Sequence, residues 1–166
     1  IIGIGAWAGG LEALQQFFRQ MGLDPIYWVN DYEYTEKAKE NWRIDSEELP
    51  GQAYQTVRYY VRTPKKTLSM VLQSNQYTTW VSEHLIKEKK DIDILAEYLP
   101  SPIARKDLVN EAADKYPESI IRGNIATFDI FGQPGCWQDL ACLYGIQELI
   151  METYDDPEWV EEALNI

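Results

Sequence analysis

The chain has 166 residues, 45% of them hydrophobic and 25% charged, enough apolar content for the core of a globular domain and too much for an intrinsically disordered chain. Its 27 acidic and 15 basic side chains leave a net charge of −12, so no basic stripe is offered to phosphate backbones and nucleic acid is excluded as a partner. No apolar run approaches the roughly 20 residues that span a bilayer, no secretion signal is read at the start, and Cys136 and Cys142 are too few for a disulfide framework, so a cytoplasmic protein with free thiols and no membrane partner is expected.

The chain opens on Ile1 inside an apparent apolar strand and stops at Asn165-Ile166, soon after a helix begins, so a single incomplete domain over 1–166 is expected. Leu11, Leu14, Phe17, Phe18 and Met21 recur at helical spacing, and Gly22 ends that helix. Ile26-Tyr27-Trp28-Val29, closed by Asn30-Asp31, reads as a buried strand. The polar stretch 33–51 reads as a loop with a short helix at 35–42. Residues 54–63 and 67–73 alternate with period two around Pro64-Lys65-Lys66 and predict a β-hairpin.

Asp91 is read as the cap of a helix carrying Ile94, Leu95, Tyr98 and Leu99, stopped by Pro100 and Pro102. A helix at 105–116 carries Leu108, Val109, Ala112 and Tyr116, and 119–123 reads as a strand feeding the loop Phe131-Gly132-Gln133-Pro134-Gly135. Two helices are expected to close the chain, the last with Asp156 at its N-cap and Pro157 at its first position.

Gly3, Gly5 and Ala8 spell G-x-G-x-x-A, a pattern that seats a pyrophosphate on a helix N-terminus, with Asp31 placed as a ribose-binding acid, although Trp7 sits in the loop that should stay open. The same stretch, Ile1 to Met21, resembles the opening of the chemotaxis-type protein-glutamate methylesterases, G-I-G-A-S-A-G-G-L-E-A-L. Trp7 replaces their nucleophilic serine, and Asn30-Asp31 stands where their histidine falls, so only the βα unit carries over.

From Leu23 onward the chain resembles the superfamily of uroporphyrinogen decarboxylases and corrinoid-dependent methyltransferases. The likeness rests on Tyr60-Val61-Arg62-Thr63-Pro64 with Leu68, on Thr79-Trp80-Val81-Ser82-Glu83 leading to Asp91, and above all on Gly123 to Pro157, with Phe131 to Trp137, Gly145 to Ile150 and Asp155 to Glu158. It implies an α/β chain forming part of a (β/α)₈ barrel, a fold of about 250 residues, here incomplete and with a β-hairpin excursion; a doubly wound α/β unit is the alternative. A junction between two unrelated segments near 22–25 follows from the two likenesses, and with it a non-catalytic or chimeric module as a competing reading.

On that fold the loop after the strand at 119–125 lies at the catalytic end. Gln133, Trp137 and Gln138 are then expected to hydrogen-bond or stack on a tetrapyrrole or corrinoid-linked substrate, and Asn124 and Asp129 to contact its polar groups. Taken singly, Trp137 reads as core packing, Gln133 and Gln138 as loop and helix-end hydrogen bonders, and Asp129 as a solvated turn acid. The decarboxylases' arginine-rich signature is not found, which favours the methyltransferase branch, and Asp31 is the one stand-in for their catalytic aspartate. A corrinoid protein is an implied partner. The zinc of the methyltransferases belongs to the later half of the barrel; Cys136, Cys142 and the distant His84 make no zinc site here, and no cofactor is expected within the chain.

Overall fold

A computed structural model of the chain describes residues 16–124 and 126–166; the Gly3, Gly5, Ala8 pattern and Trp7 lie outside them. In chain order the elements are α1 (described over 16–20), β1 (Ile26–Val29), β2 (Tyr32–Glu33), α2 (Glu36–Glu40), β3 (Arg43–Glu48), β4 (Gln55–Arg62) and β5 (Thr67–Ser74). There follow β6 (Thr79–Glu83), α3 (Asp91–Tyr98), β7 (Ile103–Ala104), α4 (Lys106–Lys115), β8 (Ile120–Gly123), α5 (Cys136–Tyr144), α6 (Ile146–Asp155) and α7 (Pro157–Leu164). They fall into two compact units, one of the described residues up to Glu33 with Ala104–Asn124, the other of Tyr34–Ile103 with the described residues from 126 to Ile166.

In the first unit α1 ends as the sequence predicts. Gly22 takes φ +68°, and the N–H groups of Gly22 and Leu23 donate to the carbonyls of Arg19 and Phe18 at 3.1 and 2.9 Å, which satisfies carbonyls the helix leaves open. β1 and β8 pair in parallel, from Ile26 opposite Ile120 to Val29 opposite Gly123. A parallel partner cannot be reached through a tight turn, and α4 forms the last leg of the crossover. Tyr116, at its C-terminus, stacks on Tyr27 with ring centroids 4.1 Å apart. The expectation of a buried β1 needs correction. Val29 is buried, but Ile26 and Trp28 are exposed, and the Arg122 guanidinium lies 4.0 Å over the Trp28 ring instead of a covering layer.

The second unit is built on an antiparallel meander, β3-β4-β5-β6. Its centre is the predicted hairpin, in register from Gln55 opposite Ser74 to Arg62 opposite Thr67, with Thr63 Oγ1 and the Lys66 backbone hydrogen-bonding across the turn. Two flanking strands were not foreseen. β3 carries Arg43, Asp45, Glu47 and Glu48, an edge strand whose charges discourage pairing with other chains and hide it from a hydrophobic pattern. Its acids meet partners on β4 and on the strand itself: Arg62 of β4 and Arg43 of β3 donate to Asp45 and hold its carboxyl below the usual range, and the Tyr60 hydroxyl of β4 donates to Glu47 at 2.6 Å. The inward face of the hairpin, Val61, Leu68, Met70 and Leu72, packs with Leu85, Ile92 and Leu95, and with Leu140, Leu143, Leu149 and Trp159 of the last three helices.

Asp91 does not cap α3; it is the helix's first residue, fully buried. The N–H groups of Lys87 and Glu88 donate to its Oδ2 at 3.0 and 3.2 Å, and the Lys66 ammonium donates to its Oδ1. One carboxylate thus fastens the β4–β5 turn and the approach to α3 to each other. The expected closing pair of helices is three, because Gly145, at φ +109°, ends α5 and starts α6. Asp156 caps α7 as predicted, accepting the Trp159 N–H at 3.2 Å, with Pro157 behind it. The class is mixed α/β. No closed barrel forms among the described residues, and the largest sheet is antiparallel, which a (β/α)₈ ring is not. No helix among them is long and apolar enough to cross a membrane.

Burial pushes the Asp91 carboxyl up, but the Lys66, Lys87 and Glu88 donors outweigh it and the net value is lowered. A lowered folded value contributes stability above the unfolded value, near 3.8, that is lost as pH falls through the folded one. Asp91→Asn should cost about 3 kcal/mol at neutral pH, with the gap to wild type narrowing as pH drops below about 4, measured by urea unfolding across pH. A gap that is small at neutral pH or constant into acid would contradict this role.

Candidate functional site

The residues expected to form the site fall into both units. In the first, Asp31 follows β1 and Asn124 follows β8, so both sit just beyond the carboxyl ends of a parallel pair, where α/β enzymes place reactive groups. The Asn124 N–H donates to Asp31 Oδ1 at 2.9 Å. The carboxylate lies so close over the strand end that a Cβ at Gly123 would stand 2.4 Å from its Oδ2, so a larger residue there would displace the Asp31 side chain. The Asp31 carbonyl accepts the Arg105 N–H, and the Arg105 guanidinium pairs with Glu33 and Asp107. The pairing of Asp31 with Asn124 was not foreseen, although each was singled out.

In the second unit, α3, α5, α7 and the loop 126–135 enclose a cavity of about 330 Å³, near the lower end of the range for small-molecule sites. Its walls are mostly apolar: Ile92 and Leu95 from α3 with Leu99 just past its end, Leu140 and Leu143 from α5, Ala163 and Leu164 from α7. The polar lining is Thr127, Asp129, Cys136 and Asp139, with Tyr34, and no Lys or Arg among the described residues lines it. Asp129 is thus at the cavity, as an exposed residue whose carboxyl is nevertheless raised by the burial around it.

The other expected contacts have different surroundings. Trp137 is half-buried and packs against the hydrophobic core, Gln138 is exposed beside Gly135, and Gln133 uses its backbone N–H to bond Asp139 at 3.1 Å. None of the three lines the cavity. His84 Nδ1 donates to the Cys142 carbonyl at 3.0 Å. Among the described residues no three His, Cys, Asp or Glu side chains gather to hold a metal.

Asp139 was not singled out, and it organises the loop. Its carboxylate accepts the N–H groups of Phe128, at 3.1 Å, and Gln133, so a ten-residue surface loop is folded around one acid at the first turn of α5. Burial raises its carboxyl, and those two N–H groups oppose the rise. The signal in the sequence is an acid four residues after Gly135, following a second glycine at 132. Gly132 leaves the room this needs: a Cβ there would stand 2.3 Å from Asp139 Oδ1 and 2.5 Å from the Phe128 nitrogen.

No family model, curated protein or solved structure matches the chain.

Gly132→Ala should destabilise the second unit by about 1–3 kcal/mol, because the methyl group meets backbone that cannot yield. Gly51→Ser, at φ +82° with nothing near its Cβ position, serves as the comparison, costing backbone strain alone. Thermal unfolding checks the pair; a Gly132→Ala protein as stable as wild type would show that the loop is not held closed on Asp139.

Proposed function

We propose that the chain is part of a cytoplasmic enzyme of the uroporphyrinogen decarboxylase superfamily, on its corrinoid-dependent methyltransferase branch, and that the cavity of the second unit takes an apolar surface of a corrinoid-linked substrate. One observation carries the reading. The stretch with the strongest likeness to that superfamily, Gly123 to Pro157, supplies a wall of the cavity through residues between 126 and 143, and among the described residues the lining has two carboxyls and no Lys or Arg. A porphyrinogen bears carboxylates around its rim and would meet Asp129 and Asp139 as like charges, whereas a corrinoid periphery of neutral amides would not.

The parallel β1 and β8 then belong to a partial (β/α)₈ ring. Asp31, steadied by the Asn124 N–H, is the group placed to accept or hold a proton at the carboxyl end of those strands. Thr127 and Asp129 orient polar edges of the ligand, and the leucines of α3 and α5 exclude water from its apolar face. A methyl-transfer enzyme of this kind draws its methyl group from a corrinoid protein, the partner that the reading implies.

Titrating the full chain into hydroxocobalamin should change the corrin absorbance, with a smaller Soret change for uroporphyrin. Cys136→Trp, at an exposed position on the cavity wall, should weaken corrinoid binding at least about tenfold, roughly 1.4 kcal/mol, with an unchanged melting curve. No absorbance change at saturating hydroxocobalamin, or a preference for uroporphyrin, would overturn the reading.

A further inference from the structure

α6 is packed on one side only. Leu149 is fully buried in the core of the second unit, while Ile146, Ile150, Met151 and Tyr154 are 48%, 47%, 58% and 81% exposed. Ile146, Ile150 and Tyr154 stand one turn apart in succession and make an apolar stripe along the helix, with Met151 beside it across Gln147. Monomeric surfaces scatter exposed apolar residues singly; a contiguous aromatic, methionine and isoleucine stripe with charged edges has the composition of a binding surface.

The charge around the stripe says what covers it. Residues 123–166 hold nine Asp and Glu and no Lys or Arg, whereas 1–122 hold 18 acidic and 15 basic residues, so most of the net charge of the chain lies in this last quarter. Glu152 and Asp156 are matched internally by Lys89, whose ammonium also lies 5.5 Å over the Trp159 ring. Glu148 and Asp155, on the border of the stripe, and Glu158 and Glu161 beyond it, are exposed and form no ion pair among the described residues. A second copy of this face would bring the same acids against them, and an anionic membrane would be repelled in the same way.

We infer that the exposed face of α6 is a docking surface for a protein segment that presents apolar anchors flanked by lysine or arginine, an amphipathic basic helix laid along Ile146, Ile150 and Tyr154. The apolar stripe supplies the anchoring contacts and the unpaired acids supply orientation and salt dependence. Lys89, meeting Glu152 and Asp156 from another segment of the same unit, is an internal example of the same pairing. This inference stands apart from the cavity reading, since none of the four stripe residues lines the cavity.

The test is fluorescence anisotropy with a labelled synthetic peptide of leucines at helical spacing and lysines between them, added to the full chain. Binding is expected, weakening as salt rises and lost for the same peptide with glutamates in place of lysines. Ile150→Ser with Tyr154→Ser, both at exposed positions, should weaken binding at least about tenfold, whereas Glu40→Gln, on α2, should leave it unchanged. The inference fails if the double variant binds the peptide as wild type does. It fails equally if sedimentation shows a wild-type dimer that the double variant abolishes, or if zwitterionic vesicles, and not the peptide, bind in a manner the double variant removes.

Discussion

A buried carboxylate is the constraint on which the second unit depends. Asp91 is shut away from solvent at the first turn of α3, and such a charge persists only where donors surround it. Its donors come from two directions, the Lys66 ammonium at the hairpin turn and the N–H groups of Lys87 and Glu88 in the approach to the helix. Meeting that requirement sets where α3 begins relative to the sheet. Ile92 and Leu95 then face the core and the cavity, so an electrostatic obligation at one end of the helix determines the shape of an apolar wall along it.

The opposite wall is organised by the same kind of device. Asp139, on α5, collects N–H groups from the loop 126–135, and Gly132 leaves space for the carboxylate to reach them. Both acids pull backbone donors that have no other partner into defined positions, which lets irregular segments border a cavity without leaving polar groups stranded. Between these walls lies a space with apolar sides and acidic corners.

Elements governed by local rules were legible in the sequence. Gly22 behind a periodic run, Asp156-Pro157 before one, and Pro64-Lys65-Lys66 between alternating strands are short-range signals, and each corresponds to the structure. The features missed were those governed by long-range pairing. β3 is a strand because Tyr60 and Arg62 of the neighbouring strand answer its acids, which nothing within Arg43–Glu48 announces. Asp91 looked like a cap because its sequence neighbours suit one, and its true partner, Lys66, is 25 residues away. At the candidate site, Asp31 and Asn124 were each marked, but the parallel register that joins them was not, and Asp139 was not singled out. Gln133, Trp137 and Gln138 were chosen for their chemistry; the reading of Trp137 as core packing matches its place against the core, and none of the three lines the cavity.

We propose that the space between α3, α5 and the loop 126–135 takes an apolar surface of a neutral-rimmed macrocycle. Amide chemical-shift mapping of the full chain during addition of hydroxocobalamin addresses it most directly. Perturbations concentrated at residues 92–99, 126–143 and 163–164 are the expected result. Saturating ligand that leaves the cavity amides unmoved, or that shifts only residues remote from it, would contradict the claim.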